Sequence, residues 1–227
     1  MPEGPRHANV RSRRSATGRA WEEGVLRMKI TRAHLAILLI NVAYLGTFAV
    51  LYSAKKNYEF LLYVGTVTFF VILITLMHLK LDFPVGVLSG LTAWGLLHML
   101  GGYVTMGGHV LYAYQLIPGV LRFDQLVHAF GFGFATLFSY YVLKPNLADK
   151  VSWATVSILL VLIGVGLGGL NEIIEFVAVL SVPQTGVGGY ENTMWDMLFN
   201  TIGAVLAVVY IGLRRAMAAN QKESVGL

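Results

Sequence analysis

Long apolar runs separated by short polar segments dominate the chain. Six runs of about twenty residues cover approximately positions 34–54, 57–79, 84–104, 123–143, 152–180 and 193–213. A run of about 20 apolar residues matches the hydrocarbon core of a bilayer. The runs are continuous and lack the alternation over about ten residues that is typical of a membrane-spanning barrel strand. The pattern therefore predicts an all-α, polytopic transmembrane helix bundle of about six spans over residues 33–214.

Composition supports this interpretation. Hydrophobic residues make up 56% of the 227 residues and charged residues only 13%, with a mean hydropathy of +0.65, whereas a soluble domain carries about 25% charged residues. Pro84, Pro145 and Pro183 each stand at a boundary between runs, where a helix can begin or end. The chain has no cysteine, which excludes disulfides, thiolate metal sites and cysteine nucleophiles.

The two ends of the chain are polar. Residues 1–32 hold eight of the 17 basic residues and are interpreted as a disordered basic cytoplasmic tail, with Met28 as an alternative start. Residues 215–227 are expected to form a short cytoplasmic tail. No cleavable signal peptide is expected, because the first apolar run begins late and is too long. The net charge of +5 is attributed to anchoring and orientation in the membrane, so no nucleic-acid partner is expected.

Lysine and arginine in the loops predict the orientation. With the N-terminus inside, only Lys55, Lys56 and Arg122 of the 17 basic residues lie outside, which leaves 14 inside. Both termini are therefore predicted to be cytoplasmic, in a multi-pass protein of a bacterial plasma (inner) membrane.

Ionisable side chains inside a bilayer are costly and usually face a cavity or a partner. His98 lies near the end of the third span, and the fourth span begins with Asp124 and His128. These last two are four residues apart and share a helix face. The fifth span carries Glu172 and Glu175, three residues apart, in its second half.

The sixth span repeats polar side chains every four residues, at Asn192, Asp196 and Asn200, and Asn171 stands four residues before Glu175. With the predicted orientation, the polar groups of four spans fall at the outer side. The pattern predicts one polar pocket, open outward and closed below by small and aliphatic residues. His98, Asn171, Asn192 and Asn200 are expected to be binding residues at its edge.

The centre of this pocket suggests catalysis or a divalent cation. An oxygen-rich set suits Mg²⁺, Mn²⁺ or Ca²⁺, with the histidine as ligand or base, whereas zinc usually takes more than one histidine. In a metal-free version, a buried glutamate and the histidine act as acid and base. The candidate catalytic and metal-binding residues are Asp124, His128, Glu172, Glu175 and Asp196.

Structural alternatives stay open for each group. The pair that begins the fourth span also suits a helix start, the polar stripe of the sixth span also suits interhelical hydrogen bonding, and His98 also suits a membrane interface. Glu172 and Glu175 fit a structural role least well, because carboxylates one turn apart in an apolar helix repel each other unless a proton or a cation is present.

Three polar motifs follow one another on successive spans: Asp124-x3-His128, Asn171-Glu172-x2-Glu175 and Asp196-x3-Asn200-x2-Gly203-Ala204. This order resembles the VanZ-like membrane proteins of bacteria and, more closely, the YjdF-like inner-membrane proteins, whose function is uncharacterised. VanZ proteins are associated with teicoplanin resistance. The chain departs from the VanZ pattern, because Glu175 stands where glutamine is usual and Tyr190-Glu191 stand near the position of an arginine. These departures argue against a resistance function.

Three functions remain open at this point. The first is a metal-assisted or acid–base enzyme that acts on a lipid-linked or envelope substrate at the outer face. The second is an ion-coupled transporter, since paired carboxylates and a histidine also form proton relays. The third is a non-catalytic scaffold or accessory protein whose polar cluster only holds helices together. The bilayer is the one expected partner, and the oligomeric state is open.

Overall fold

Six long helices form most of the part of the chain that the structure describes. This computed structural model describes residues 30–148 and 150–225, and side chains as far as Gln221. Positions 1–29 of the predicted tail over residues 1–32, with Met28, lie outside them, and the first helix begins at Arg32. The helices are α1 Arg32–Ala54, α2 Tyr58–His78, α3 Val85–Tyr103, α4 Phe123–Leu143, α5 Trp153–Ser181 and α6 Tyr190–Val225. All six are long and apolar enough to span a membrane. The six-span, all-α prediction is confirmed, and α6 continues through most of the predicted C-terminal tail.

Polar residues between the apolar runs begin the helices. The side chain of Asn57 accepts a hydrogen bond from Phe60 N at 3.0 Å at the start of α2, and the side chain of Ser152 accepts one from Thr155 N at 3.1 Å at the start of α5. Such caps satisfy backbone N–H groups that have no partner within the helix. Pro84 stands immediately before α3, where its missing N–H costs nothing.

The helices form two groups, α1–α3 and α4–α6, and the contact between α3 and α4 joins the two groups. Helix α4 packs most extensively against α6, and α5 packs on both, while α1 and α2 pack on α3. Because consecutive spans alternate in direction, α4 and α6 run parallel. We call the end of the bundle at which α2, α4 and α6 begin, and α1, α3 and α5 end, the polar end.

Glycines allow α4, α5 and α6 to approach closely. A Cβ atom at Gly203 of α6 would overlap the carbonyl oxygen of Ala129 and lie 2.9 Å from the backbone nitrogen of Gly133, both on α4. A Cβ atom at Gly168 of α5 would lie 2.5 Å from Asn200 Nδ2. Small residues are the usual means of close helix packing in membranes. Here they allow the polar stripe of α6 to contact α4 and α5.

Two small hairpins cover part of the polar end, where the sequence predicted only a connecting loop. A 3₁₀ turn at Leu111–Ala113 joins them, and Gly107 and Gly108 turn the first hairpin with φ of 58° and 85°, which favours glycine. Strands of two or three residues are too short to show an alternating pattern of polar and apolar residues in the sequence. The strands are β1 Thr105–Met106, β2 His109–Val110, β3 Gln115–Ile117 and β4 Leu121–Arg122, paired β1–β2 and β3–β4.

We expect Gly203→Ala to destabilise the protein, because the added methyl group meets backbone atoms that cannot rotate away. Overpacking of this kind costs about 1–3 kcal/mol, which corresponds to a Tm lower by at least about 3 °C in a chain of this size. Gly166→Ala is the matched control, since a Cβ atom there meets nothing within 4 Å. Thermal unfolding of both variants in detergent is the measurement, and equal Tm values would contradict the close contact.

The orientation remains a prediction that cysteine labelling tests. The chain has no cysteine, so Lys56→Cys, between α1 and α2, and Lys144→Cys, after α4, each carry a single thiol. With both termini inside, a membrane-impermeant maleimide added to intact cells labels the variant at position 56 and not the variant at position 144. Both should react after the cells are permeabilised. The reverse labelling pattern would invert the topology.

Candidate metal centre

His128 lies at the centre of the polar end, one turn into α4. Its Nδ1 lies 2.9 Å from Asn200 Oδ1 of α6, and both residues are buried. An amide oxygen only accepts hydrogen bonds, so Nδ1 carries the proton and donates it to Asn200. In the neutral imidazole, the other ring nitrogen, Nε2, then has a free lone pair. This is the tautomer of a metal-binding histidine whose second nitrogen is held by a carbonyl group.

Two aspartates face that free nitrogen. Asp124 Oδ1 lies 3.6 Å and Asp196 Oδ1 lies 3.9 Å from His128 Nε2, both too long for a hydrogen bond. Neighbouring ligands at metal distances of about 2.0–2.1 Å stand about 2.8–3.4 Å apart in octahedral or tetrahedral geometry. The three ligand atoms lie within 4.8 Å of one another, so a small contraction would bring them to one cation.

A second group shares the same histidine. Ligand atoms of His128, Glu172 and Glu175 also lie within 4.8 Å of one another. Glu175 Oε1 accepts a hydrogen bond from Asn171 Nδ2 at 2.8 Å, so its position is held by its own helix. Since His128 has one free nitrogen, the two groups favour a single ion with several carboxylates rather than two separate ions.

Several oxygens of this cluster make no hydrogen bond of normal distance and angle. Among the described side chains, these are both carboxylate oxygens of Glu172 and Oδ1 of Asp196, all of them buried. Asp196 is 1% exposed, and its other oxygen accepts from Asn192 Nδ2 at 2.5 Å. A buried carboxylate oxygen without a partner is costly. The unpartnered Asp196 oxygen is the one that faces His128, at the position a cation would neutralise.

The structure therefore brings together the whole candidate set from the sequence, apart from one residue. Asn192 and Asn171 hold carboxylates, and Asn200 holds the histidine, so these three position other side chains. The five residues around the proposed ion lie on three helices: Asp124 and His128 on α4, Glu172 and Glu175 on α5, and Asp196 on α6.

His98 is the residue that stands apart. It accepts a hydrogen bond at Nδ1 from the hydroxyl of Tyr112 and packs against the rings of Phe60 and Tyr63. Burial, with the nearby carboxylate of Asp124, raises the pKa of Tyr112 well above its usual range, so the phenol stays protonated and donates. His98 joins neither group of candidate ligands, and the expectation that it binds at the pocket edge stays a prediction.

The sequence comparison places this site in a family. A family model described as Predicted membrane protein (DUF2238) matches residues 33–216. The chain belongs to this family. The match spans α2 to α5 in full, α1 except its first residue, most of α6, and every candidate ligand. Its description names a membrane protein without an activity. No curated protein and no solved structure matches the chain.

Glu59 is a further acidic residue of this DUF2238 chain that sequence reasoning missed. It lies in the first turn of α2, is only 6% exposed, and its Oε2 accepts a hydrogen bond from Gly186 N at 2.7 Å. The bond ties the loop between α5 and α6 to α2. In the sequence, Glu59 is indistinguishable from a carboxylate that begins a helix and faces water. The only feature that could have indicated a role for it is its position at the polar end of the predicted bundle.

The pocket floor differs from the prediction on one side. Below the cluster, α4, α5 and α6 are closed by tight packing around Gly164, Thr136 and Ala204. Toward α1, α2 and α3, however, a cavity of about 550 Å³ extends along the helices. The expectation of a floor sealed by small and aliphatic residues is correct for the α4–α6 side and wrong for the α2 side, because α2 and α5 pack little against each other.

We expect Glu172→Gln to leave the Tm unchanged or to raise it when the protein is held in chelator. The substitution loses no hydrogen bond of the wild-type carboxylate and removes one of several neighbouring negative charges. Glu191→Gln, an exposed position on α6, is the control for the same chemical change. A clear fall in Tm for Glu172→Gln alone would show that the cluster serves to hold the helices together.

Proposed function

We propose that this protein is a divalent-cation-dependent enzyme that acts at the outer membrane face on a lipid-linked substrate. Asp124, His128 and Asp196 would hold the ion. The observation that carries the proposal is the free Nε2 of His128, which faces two carboxylate oxygens at 3.6 and 3.9 Å. In the absence of a cation or a proton, three electron-rich atoms would be buried against one another.

The donor set favours Mn²⁺ or Mg²⁺. One imidazole with up to four carboxylates is mostly a hard oxygen environment. Zinc sites usually carry more nitrogen or sulfur ligands. Mn²⁺ is therefore the first ion to test, since it accepts an imidazole together with several carboxylates.

Hydrolysis is the chemistry that this arrangement supports best. A bound divalent cation supplies an activated water and polarises a phosphoryl or carbonyl oxygen. Glu172 lies in the group around His128, and its oxygens make no hydrogen bond of normal distance and angle, which supports it as the side chain that would act as general base. Glu175 is held by Asn171 and serves as the fixed carboxylate beside it.

The membrane location determines how a substrate would arrive. With both termini cytoplasmic, the polar end faces outward, and a lipid-linked substrate reaches it from the outer leaflet. We infer a bacterial inner membrane, and a relationship to the VanZ-like and YjdF-like proteins, from the three polar motifs on successive spans. The ligands of the proposed ion belong to these motifs, which supports a shared site.

Two alternatives have less support. A scaffold needs hydrogen bonds between helices, and the cluster supplies one, from His128 to Asn200. The Asn171–Glu175 and Asn192–Asp196 bonds each stay within one helix and hold no helices together. A proton-coupled carrier needs polar groups that continue across the membrane. The described lining of the 550 Å³ cavity includes no Asp, Glu, Lys or Arg, and its histidines, His34, His78 and His98, lie only near the helix ends.

Mn²⁺ binding tests the site directly. We expect the purified protein to bind one Mn²⁺, seen as loss of the free-ion electron paramagnetic resonance signal during titration. His128→Ala should abolish binding, because it removes the shared ligand. Asn200→Ala should weaken binding by about 10–100-fold, since the residue that orients a ligating histidine typically contributes this much.

Glu191→Gln is the control and should bind Mn²⁺ like the wild type. Lipid products are then measured by mass spectrometry in vesicles of bacterial phospholipid that carry the protein. We expect products that depend on Mn²⁺, persist in Glu191→Gln and disappear in His128→Ala. A protein that binds no divalent cation at any concentration below the millimolar range would rule out the proposed function.

A further inference from the structure

A second feature of the bundle is the long cavity beside the metal centre. Its volume of about 550 Å³ falls in the range of about 300–1,000 Å³ that is usual for ligand sites. Helices α1, α2 and α3 line one side, and α4 and α5 line the other.

The wall of this cavity is apolar even where its residues carry hydroxyl groups. Thr66 donates to Leu62 O at 3.1 Å, and Thr75 donates to Val71 O at 2.7 Å. Ser139 bonds in the same way within α4. Each of these hydroxyls is thereby satisfied by its own helix, and the surface left to a ligand along the middle of the cavity is mostly hydrocarbon.

The cavity is long and straight. On α5 it is lined at Ile163, Leu167, Leu170 and Ile174, which follow one helix face, and on α2 the lining runs from Tyr63 to His78. Fifteen residues of helix rise roughly 22 Å. This exceeds half of the bilayer core, which is about 15 Å, so the cavity has the shape of an extended chain rather than of a compact molecule.

The upper end of the cavity reaches the metal centre. Asn171 lines the cavity and also donates its hydrogen bond to Glu175. Tyr63 lines the same end, is 5% exposed, and its hydroxyl makes no hydrogen bond of normal distance and angle with any described residue. An apolar slot that ends at polar side chains fits a ligand with a hydrocarbon tail and a polar head.

We propose that the cavity holds one straight acyl chain of a membrane lipid, with the lipid headgroup at Asn171 and Glu175. A membrane lipid would then be the substrate class of the proposed enzyme. Only the reaction at the headgroup rests on the proposed function; binding of the acyl chain does not. The gap between α2 and α5 gives the chain a lateral entry from the bilayer. The slot follows one face of α5, and we take an unbranched acyl chain as its occupant, with a branched prenyl chain as the alternative that the experiment tests.

Trp94 lines the cavity and reports occupancy. We replace the other three tryptophans, Trp21, Trp153 and Trp195, with phenylalanine and place the protein in nanodiscs of unbrominated lipid. The probe is a lysophosphatidylcholine with a bromine-labelled palmitoyl chain, which quenches tryptophan fluorescence on contact. We expect saturable quenching with one probe per protein. Quenching that rises in simple proportion to probe content would overturn the proposal.

Matched substitutions on α5 test the place of binding. Leu167→Phe fills the cavity and should weaken binding of the probe at least about 5-fold. Leu162→Phe changes a side chain that is 61% exposed and should leave binding of the probe unchanged. Ile163→Phe is a second cavity variant, used if Leu167→Phe has a lower Tm. Equal binding in all three variants would contradict the proposal.

Two further arms separate the outcomes. Unlabelled palmitoyl lysolipid should displace the probe and a polyprenyl phosphate should not; displacement by the prenyl compound alone would overturn the acyl assignment. His128→Ala should keep saturable quenching while it loses Mn²⁺ binding. If the wild type binds the probe but no Mn²⁺, the proposed function fails and the acyl site stands.

Discussion

The hydrogen bond from His128 Nδ1 to Asn200 Oδ1 determines the chemistry of the polar end. It joins α4 to α6, and it selects the imidazole tautomer whose lone pair points at Asp124 and Asp196. The carboxylates of α5 then surround the same ring. So much negative charge inside a helix bundle persists only with protons or a cation among it.

Close helix packing makes that hydrogen bond possible. Glycines at the contacts of α4, α5 and α6 bring the backbones together, and the contact of Gly168 with Asn200 places the amide beside the ring. A bulkier residue at these positions would move the polar stripe of α6 away from its partners. The glycines thus contribute to the site by keeping the helix backbones close together, not by making the backbone flexible.

The bundle also presents two very different environments within one molecule. The α4–α6 half is tightly packed and carries the carboxylates, whereas the α1–α3 half leaves a hydrocarbon-lined slot against α5. Asn171 belongs to both. An ionic site at one end of an apolar slot is the arrangement expected of a protein that handles lipids, because a lipid has the same two parts.

Much of the architecture was predictable from the sequence because it depends on local regularities. A bilayer requires continuous apolar runs, so the six spans and their limits follow from the pattern. The 3.6-residue helical period places Asp124 beside His128 and Asn192 beside Asp196 on any helix. The alternating direction of the spans then puts these residues at one end.

Tertiary structure alone decided which of these residues meet. The sequence could not show that Asn200 holds His128, that His98 turns away to Tyr112, or that Glu59 is buried under the α5–α6 loop. Nor could it show the slot beside α2. These outcomes depend on how each helix is rotated and how closely it approaches its neighbours. Rotation and spacing are set by the packing of many small contacts, which leave no periodic signal in a single chain.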